Sequence, residues 1–179
     1  MNLPNKITLF RVFMIPIFVV FMLIPAIPGS RYIAAAIFIV AALSDLLDGY
    51  LARKHNLVTN FGKFMDPLAD KLLVSSALIC LVELGLLPAW IVIIIIAREF
   101  IISGFRLIAS DNGIVIAASW WGKVKTAVQM VMSVMLIINL DIAFINILEQ
   151  VAIYLAAALT VISLIDYMIK NKKVLKEKY

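Results

Sequence analysis

Long apolar runs are the feature of this sequence that most limits how the chain can fold. Several runs of 12 to 19 residues carry almost no charged side chain, and 64% of the 179 residues are hydrophobic. A soluble domain of this size would be about half apolar. Runs of this length and composition are typical of helices that cross a membrane. We therefore expect an all-α integral membrane protein.

The apolar runs and the breaks between them predict six transmembrane helices in a single domain over residues 1–179. Each run is long enough to cross roughly 30 Å of hydrocarbon at about 1.5 Å per residue. The predicted spans are Ile7–Ile24, Arg31–Arg53, Pro67–Leu87, Pro88–Ile108, Lys123–Leu140 and Ile147–Met168. The residues before the first span are expected to form an interfacial turn. The connections over 54–66 and 109–122 are longer and more polar than the others.

The basic residues fall on one side of these spans. Fifteen of the sixteen Lys and Arg residues lie at the chain ends or beside the connections after spans two and four, and only Arg31 lies opposite. Membrane proteins retain such residues on the cytoplasmic side. We therefore expect a multi-pass protein of the plasma membrane, with both termini and the polar site cytoplasmic. The net charge of +5 then belongs to a membrane surface rather than to a nucleic-acid interface.

Four aspartates occupy the predicted cytoplasmic ends of spans two and three. Asp45 and Asp48 are three positions apart, and Asp66 and Asp70 are four apart, so each pair shares a helical face. Unpaired carboxylates at a membrane boundary repel one another and cost desolvation free energy. A divalent cation resolves this, because Mg²⁺, Mn²⁺ and Ca²⁺ prefer oxygen ligands. The pattern predicts one metal ion, or two about 4 Å apart, a geometry used for displacement at phosphorus.

Structural interpretations of the same acids compete with the metal site. Asp66 precedes Pro67 and would serve as the N-cap of the third span. Asp45 and Asp48 would pair with nearby cations in a structural ion network. Capping by Asp66 leaves the other three acids unexplained, so we favour the metal site.

The acids belong to a longer motif. Residues 45–70 fit the pattern D-x2-D-G-x2-A-R-x8-G-x3-D-x3-D at every fixed position. This segment resembles the signature of the CDP-alcohol phosphotransferases, a family of six-helix membrane enzymes. Residues 4–11, 65–71, 97–99 and 122–126 resemble the branch of that family that acts on glycerol 3-phosphate. The resemblance covers essentially the whole chain.

The resemblance implies an activity and a role for each motif residue. A homodimeric enzyme would transfer the phosphatidyl group of CDP-diacylglycerol to glycerol 3-phosphate. Its cofactor would be two ions of Mg²⁺ or Mn²⁺. Asp45, Asp48 and Asp66 would bind metal, and Asp70 would bind metal and act as the general base. The CDP-diacylglycerol site would comprise Asn5, Thr8, Arg11, Gly49, Ala52, Arg53 and Gly62. For the first three, an N-cap and surface anchor is the structural alternative.

A cluster of cations near the predicted cytoplasmic ends of spans four and five is the candidate site for the acceptor phosphate. Glycerol 3-phosphate is a dianion, so its site needs positive charge beyond the metal ions. The candidate residues are Arg98, Arg106, Lys123 and Lys125. Arg98 lies in an apolar stretch, where an arginine is costly, and Glu99 would orient Arg98 or another cation. The alternative is that these cations contact lipid headgroups.

Two further functions stay open. The same chemistry would serve another acceptor, such as phosphatidylglycerol, serine or an inositol phosphate, although the cations favour a phosphorylated one. An ion-coupled transporter would use the carboxylates as a cation site, but transporters place such sites near the midplane and often in repeats.

Trp120 and Trp121 are expected to anchor the chain at the interface, and Cys80 to pack within a span. Membrane lipids are the expected surroundings, and nucleic acid is not an expected partner.

Overall fold

The computed structural model describes residues 3–24, 27–54, 60–111, 113, 116–117 and 119–172, with side chains for all of these except 3–4, 45–54, 60–61 and 63–64. Within these ranges the chain forms α-helices and no strand. The helices are α1 (Leu3–Leu23), α2 (Ser30–Lys54), α3 (Asn60–Glu83), α4 (Ala89–Asp111), α5 (Trp120–Ile138) and α6 (Ala143–Lys170). The all-α prediction is confirmed for the described part of the chain.

Three of the described helices are long and apolar enough to cross a membrane. These stretches are Asn5–Leu23 in α1, the whole of α5, and the whole of α6. Large apolar side chains such as Phe13, Ile93 and Phe144 are exposed on the helices. Extended apolar surface of this kind marks contact with lipid or protein rather than with water.

The third helix begins earlier than the apolar pattern predicts. It starts at Asn60 rather than at Pro67 and ends at Glu83 rather than at Leu87. Asp66 is therefore an interior residue of α3, and its interpretation as an N-cap is wrong. Hydropathy marks only the apolar part of a helix, whereas backbone hydrogen bonding continues through the polar residues before Pro67.

The first helix also extends beyond its apolar run. It starts at Leu3, so the residues predicted to form an interfacial turn belong to the first helical turns of α1 instead. Asn5, Thr8 and Arg11 consequently lie along one continuous helix, and all three side chains are buried. Burial is inconsistent with the surface-anchor alternative for these residues.

Two compact units make up the chain. The first comprises Met1–Leu86 and Val134–Asn139. In it α1 packs against both α2 and α3. Small buried residues of α2, such as Ala34 and Ala41, let helix backbones approach closely, and the rings of Phe18 and Phe38 lie 5.9 Å apart between centroids. Cys80 is buried, which confirms its predicted packing role.

The second unit comprises Leu87–Ser133 and Leu140–Tyr179. In it α4 packs against α6. Ile102, Phe105 and Tyr167 form a buried cluster, with the Phe105 and Tyr167 rings edge to face at 5.8 Å. This packing fixes the polar half of α4 against the last turns of α6. The single-domain organisation stays a prediction.

Candidate active site

The four aspartates of the motif lie on two helices of the first unit. Asp45 and Asp48 belong to the last turns of α2, as do Gly49, Ala52 and Arg53, and the side chains of these five residues lie outside the described part. Asp66 and Asp70 lie one turn apart on α3, and both are partly buried. Gly62, also on α3, is buried.

A threonine of α1 holds the first acid of α3. The Thr8 Oγ1 hydroxyl donates a hydrogen bond of 2.6 Å to Asp66 Oδ1, and Thr8 is 1% exposed. A hydrogen bond to an ionised carboxylate is stronger than a neutral one and fixes the orientation of the carboxylate. Thr8 was expected to line the nucleotide site, and the structure adds a direct contact with a candidate metal ligand.

An arginine of the same helix reaches α2. Arg11 is fully buried, and its Nε donates a hydrogen bond of 3.3 Å to Ser44 Oγ. Ser44 in turn donates to the carbonyl oxygen of Ala41 at 2.7 Å and immediately precedes Asp45. Thr8 and Arg11 are three positions apart and share a face of α1. This polar face of α1 therefore contacts both helices that carry the acids.

The donor set of the described acids suits a hard divalent cation. Asp66 and Asp70 supply only oxygen atoms, as Mg²⁺ and Mn²⁺ prefer. A carboxylate offers about four lone-pair sites, so the hydrogen bond from Thr8 takes up only part of the acceptor capacity of Asp66. No three His, Cys, Asp or Glu side chains meet in the described part, which does not include the side chains of Asp45 and Asp48. The described residues thus fit a metal ion as a partial ligand set.

Two of the candidate acceptor cations of the second unit contact the same carboxylate. Glu99 Oε1 accepts a hydrogen bond of 2.9 Å from Arg98 Nη1 and one of 2.6 Å from Lys125 Nζ. Arg98 is 8% exposed and Lys125 is 1% exposed. The prediction that Glu99 orients a cation is confirmed for both. Their burial and pairing do not fit the lipid-headgroup interpretation.

Arg98 has a second anchor on α6. Its Nε donates to Ser163 Oγ at 3.2 Å, and Ser163 donates to the carbonyl oxygen of Thr160 at 2.9 Å. Both hydroxyl-bearing residues are fully buried. Ser163 was not predicted as a site residue. The signal in the sequence was a serine within an apolar span, because a buried arginine of another span needs a hydrogen-bond partner.

The other two predicted cations are arranged differently. Arg106 is exposed, its Nε donates to the hydroxyl of Tyr167 at 3.3 Å, and its guanidinium lies 5.8 Å from the centre of that ring. Lys123 is exposed near the start of α5. The described contacts therefore unite Arg98 and Lys125 through Glu99, whereas Arg106 is joined to α6 separately.

Polar residues continue along α5 beyond Lys125. Gln129 and Ser133 follow at intervals of four positions and are buried. Gln129 Oε1 and Ser133 Oγ have no hydrogen-bond partner among the described residues. Neither residue was predicted as a site residue, although the spacing places both on the face of Lys125.

Comparison with known proteins agrees with the motif. Residues 1–162 match the family model described as CDP-alcohol phosphatidyltransferase. A Bacillus subtilis protein named CDP-diacylglycerol–glycerol-3-phosphate 3-phosphatidyltransferase is 48% identical over 98% of this chain and 97% of its own length. A Haemophilus influenzae protein of the same name is 42% identical, over 93% of this chain and 91% of its own length.

A Mycobacterium tuberculosis protein named probable phosphatidylglycerophosphate synthase is 40% identical over 93% of this chain and 80% of its own length. These similarities extend along almost the whole chain and include the segments that bear the aspartates and the buried cations. The motif, the helical fold and these relatives together establish that the chain belongs to the CDP-alcohol phosphatidyltransferase family.

Proposed function

We propose that this protein transfers the phosphatidyl group of CDP-diacylglycerol to glycerol 3-phosphate, giving phosphatidylglycerophosphate and CMP. Similarity over nearly the full length to enzymes named for this reaction is the observation that carries the proposal. The buried cations Arg98 and Lys125, which both contact Glu99, support a phosphorylated acceptor, because a phosphate dianion needs positive charge at its site.

The proposed arrangement in the membrane has six spans with both termini cytoplasmic. The shortest described helix, α5, has 19 residues, close to the length needed to cross about 30 Å of hydrocarbon. Fifteen of the sixteen Lys and Arg residues would then lie on the cytoplasmic side of the plasma membrane. A site at this face reaches a lipid substrate whose acyl chains stay in the bilayer.

The proposed donor site lies on the first unit. Asp45, Asp48, Asp66 and Asp70 would hold Mg²⁺ or Mn²⁺, as two ions. The metal would neutralise the diphosphate of CDP-diacylglycerol and stabilise the charge that develops at phosphorus. Thr8 would keep the Asp66 carboxylate in its orientation. The nucleotide and diphosphate would be bound by Asn5, Thr8, Arg11, Gly49, Ala52, Arg53 and Gly62.

Asp70 is the proposed general base. It would accept the proton of the attacking hydroxyl of glycerol 3-phosphate. The hydroxyl oxygen then bonds to the phosphorus that carries diacylglycerol, and the bond from that phosphorus to CMP breaks. Arg98 and Lys125, with Arg106 and Lys123, would hold the phosphate of the acceptor, which the reaction leaves intact.

The experiment that tests this function is an acceptor comparison. The purified protein in lipid nanodiscs receives labelled CDP-diacylglycerol, Mg²⁺ or Mn²⁺, and one of glycerol 3-phosphate, serine, inositol phosphate or phosphatidylglycerol. We expect CMP release only with glycerol 3-phosphate, together with a phosphorylated lipid product. Faster CMP release with another acceptor would identify that acceptor as the substrate. If no acceptor gives CMP release, the alternative is favoured in which the carboxylates form the cation site of a transporter. Native mass spectrometry tests the proposed homodimer.

A further inference from the structure

The guanidinium of Arg98 is in contact with three different neighbours. Nε donates to Ser163 on α6, and Nη1 donates to Glu99 on α4. Nη2 lies beside Gly122 on α5. Within the described part of the chain, Nη2 donates no hydrogen bond, so its N–H groups are available to a ligand. Its direction is set by the partners of the other two nitrogens.

Glu99 fixes two cations at once. The same oxygen accepts from Arg98 and from Lys125, and Lys125 is 1% exposed. Removing one member of a buried ion pair leaves an uncompensated charge and is strongly destabilising for the arrangement that remains. Two charge-assisted bonds to one oxygen also limit the relative positions of both cations. Glu99 therefore sets the spacing of the two positive groups.

Glycine at position 122 is not required by the backbone. The glycines with positive φ in the described part are Gly29, Gly85 and Gly113, and Gly122 instead has ordinary helical geometry. Its amide donates to the hydroxyl of Ser119 at 3.1 Å, which caps the start of α5. Alanine would be the better residue at such a helical position. A methyl group there would, however, lie 3.2 Å from Arg98 Nη2, closer than ordinary packing allows.

We propose that Glu99 and Ser163 are positioning residues for the acceptor phosphate, and that Gly122 keeps open the space beside Arg98 Nη2 in which that phosphate binds. The inference rests on the proposed function, since it names glycerol 3-phosphate as the ligand of this space. A phosphate oxygen next to Nη2 gains a charge-assisted hydrogen bond from a donor whose orientation is already fixed. The side chain of any residue but glycine at position 122 shifts that donor.

Steady-state kinetics with both substrates and thermal unfolding test the proposal. Glu99→Gln keeps the size of the side chain but removes its charge, so we expect the KM for glycerol 3-phosphate to rise roughly tenfold. Gly122→Ala should raise the same KM several-fold without lowering Tm, because alanine favours the helix. Ser163→Ala should raise it several-fold. In all three variants the KM for CDP-diacylglycerol should stay within about twofold of wild type.

Two matched controls separate positioning from general stability. Glu149→Gln changes a buried glutamate of this unit, whose Oε1 has no partner among the described residues, and Ser133→Ala removes a buried hydroxyl that likewise has none there. Both should leave the KM for glycerol 3-phosphate unchanged. A purely structural role of Glu99, Gly122 and Ser163 would raise the KM for both substrates alike.

The outcomes distinguish this inference from the proposed function. If the wild-type protein releases no CMP with glycerol 3-phosphate, the proposed function fails and the inference fails with it. If the wild type uses glycerol 3-phosphate but Glu99→Gln and Gly122→Ala keep its KM, only the inference is overturned. If Glu99→Gln does not fold, Gly122→Ala decides alone, because its predicted effects on Tm and on KM are separate.

Discussion

Replacing Thr8 with valine should weaken the binding of the divalent metal. Valine has nearly the shape of threonine but lacks the hydroxyl that donates at 2.6 Å to Asp66. A hydrogen bond to a charged group contributes about 1.5–3 kcal/mol, and loss of a residue that orients a metal ligand typically lowers metal affinity about 10–100-fold. Because Thr8 is 1% exposed, water cannot readily replace its hydroxyl. We expect at least a tenfold (about 1.4 kcal/mol) loss of Mn²⁺ affinity.

The assay is Mn²⁺ titration of the purified protein, followed by electron paramagnetic resonance without substrate. CMP release as a function of Mn²⁺ concentration gives a second measurement, and saturating Mn²⁺ should restore most of the turnover. Thr8→Ser retains the hydroxyl and is the matched control, so its Mn²⁺ affinity should stay near that of the wild type. Wild-type Mn²⁺ affinity in Thr8→Val would refute the reasoning, and a raised KM for CDP-diacylglycerol in that variant would then leave Thr8 with its nucleotide role alone.

Three further predictions concern the base, the acceptor site and stability. Asp70→Asn keeps the size of the side chain and removes the base, so CMP release should stop while Tm is retained; near-full turnover would disprove the assignment. Arg98→Ala should raise the KM for glycerol 3-phosphate by about 30-fold, the equivalent of roughly 2 kcal/mol, and Arg98→Lys should recover only part of it. Ser133→Ala removes a buried hydroxyl without a described partner, so the free energy of unfolding should rise by about 1 kcal/mol. Thermal unfolding should then show a Tm raised by a few degrees. A lowered Tm would mean that the hydroxyl has a hydrogen-bond partner in the protein.

The helices, and the places of the motif residues along them, could be predicted from the sequence, because both depend on short-range spacing. A long apolar run predicts a helix from its length alone, and the bounds of α2 were predicted to within one residue at each end. The spacing of Asp66 and Asp70 likewise places both on one face of α3. The prediction failed at the start of α3, where helical hydrogen bonding continues into polar residues that hydropathy assigns to a loop.

Which side chains meet across helices follows from the packing of the helices and not from the local sequence. Glu99 is adjacent to Arg98 in sequence, but its second partner, Lys125, is 26 positions away and Ser163 is 65 positions from Arg98. Thr8 and Asp66 are separated by 58 positions. Such contacts depend on how helices pack and rotate against one another, which the periodicity of a single helix does not specify. The buried cations therefore obtained their partners from packing, whereas their positions along the helices followed from local sequence.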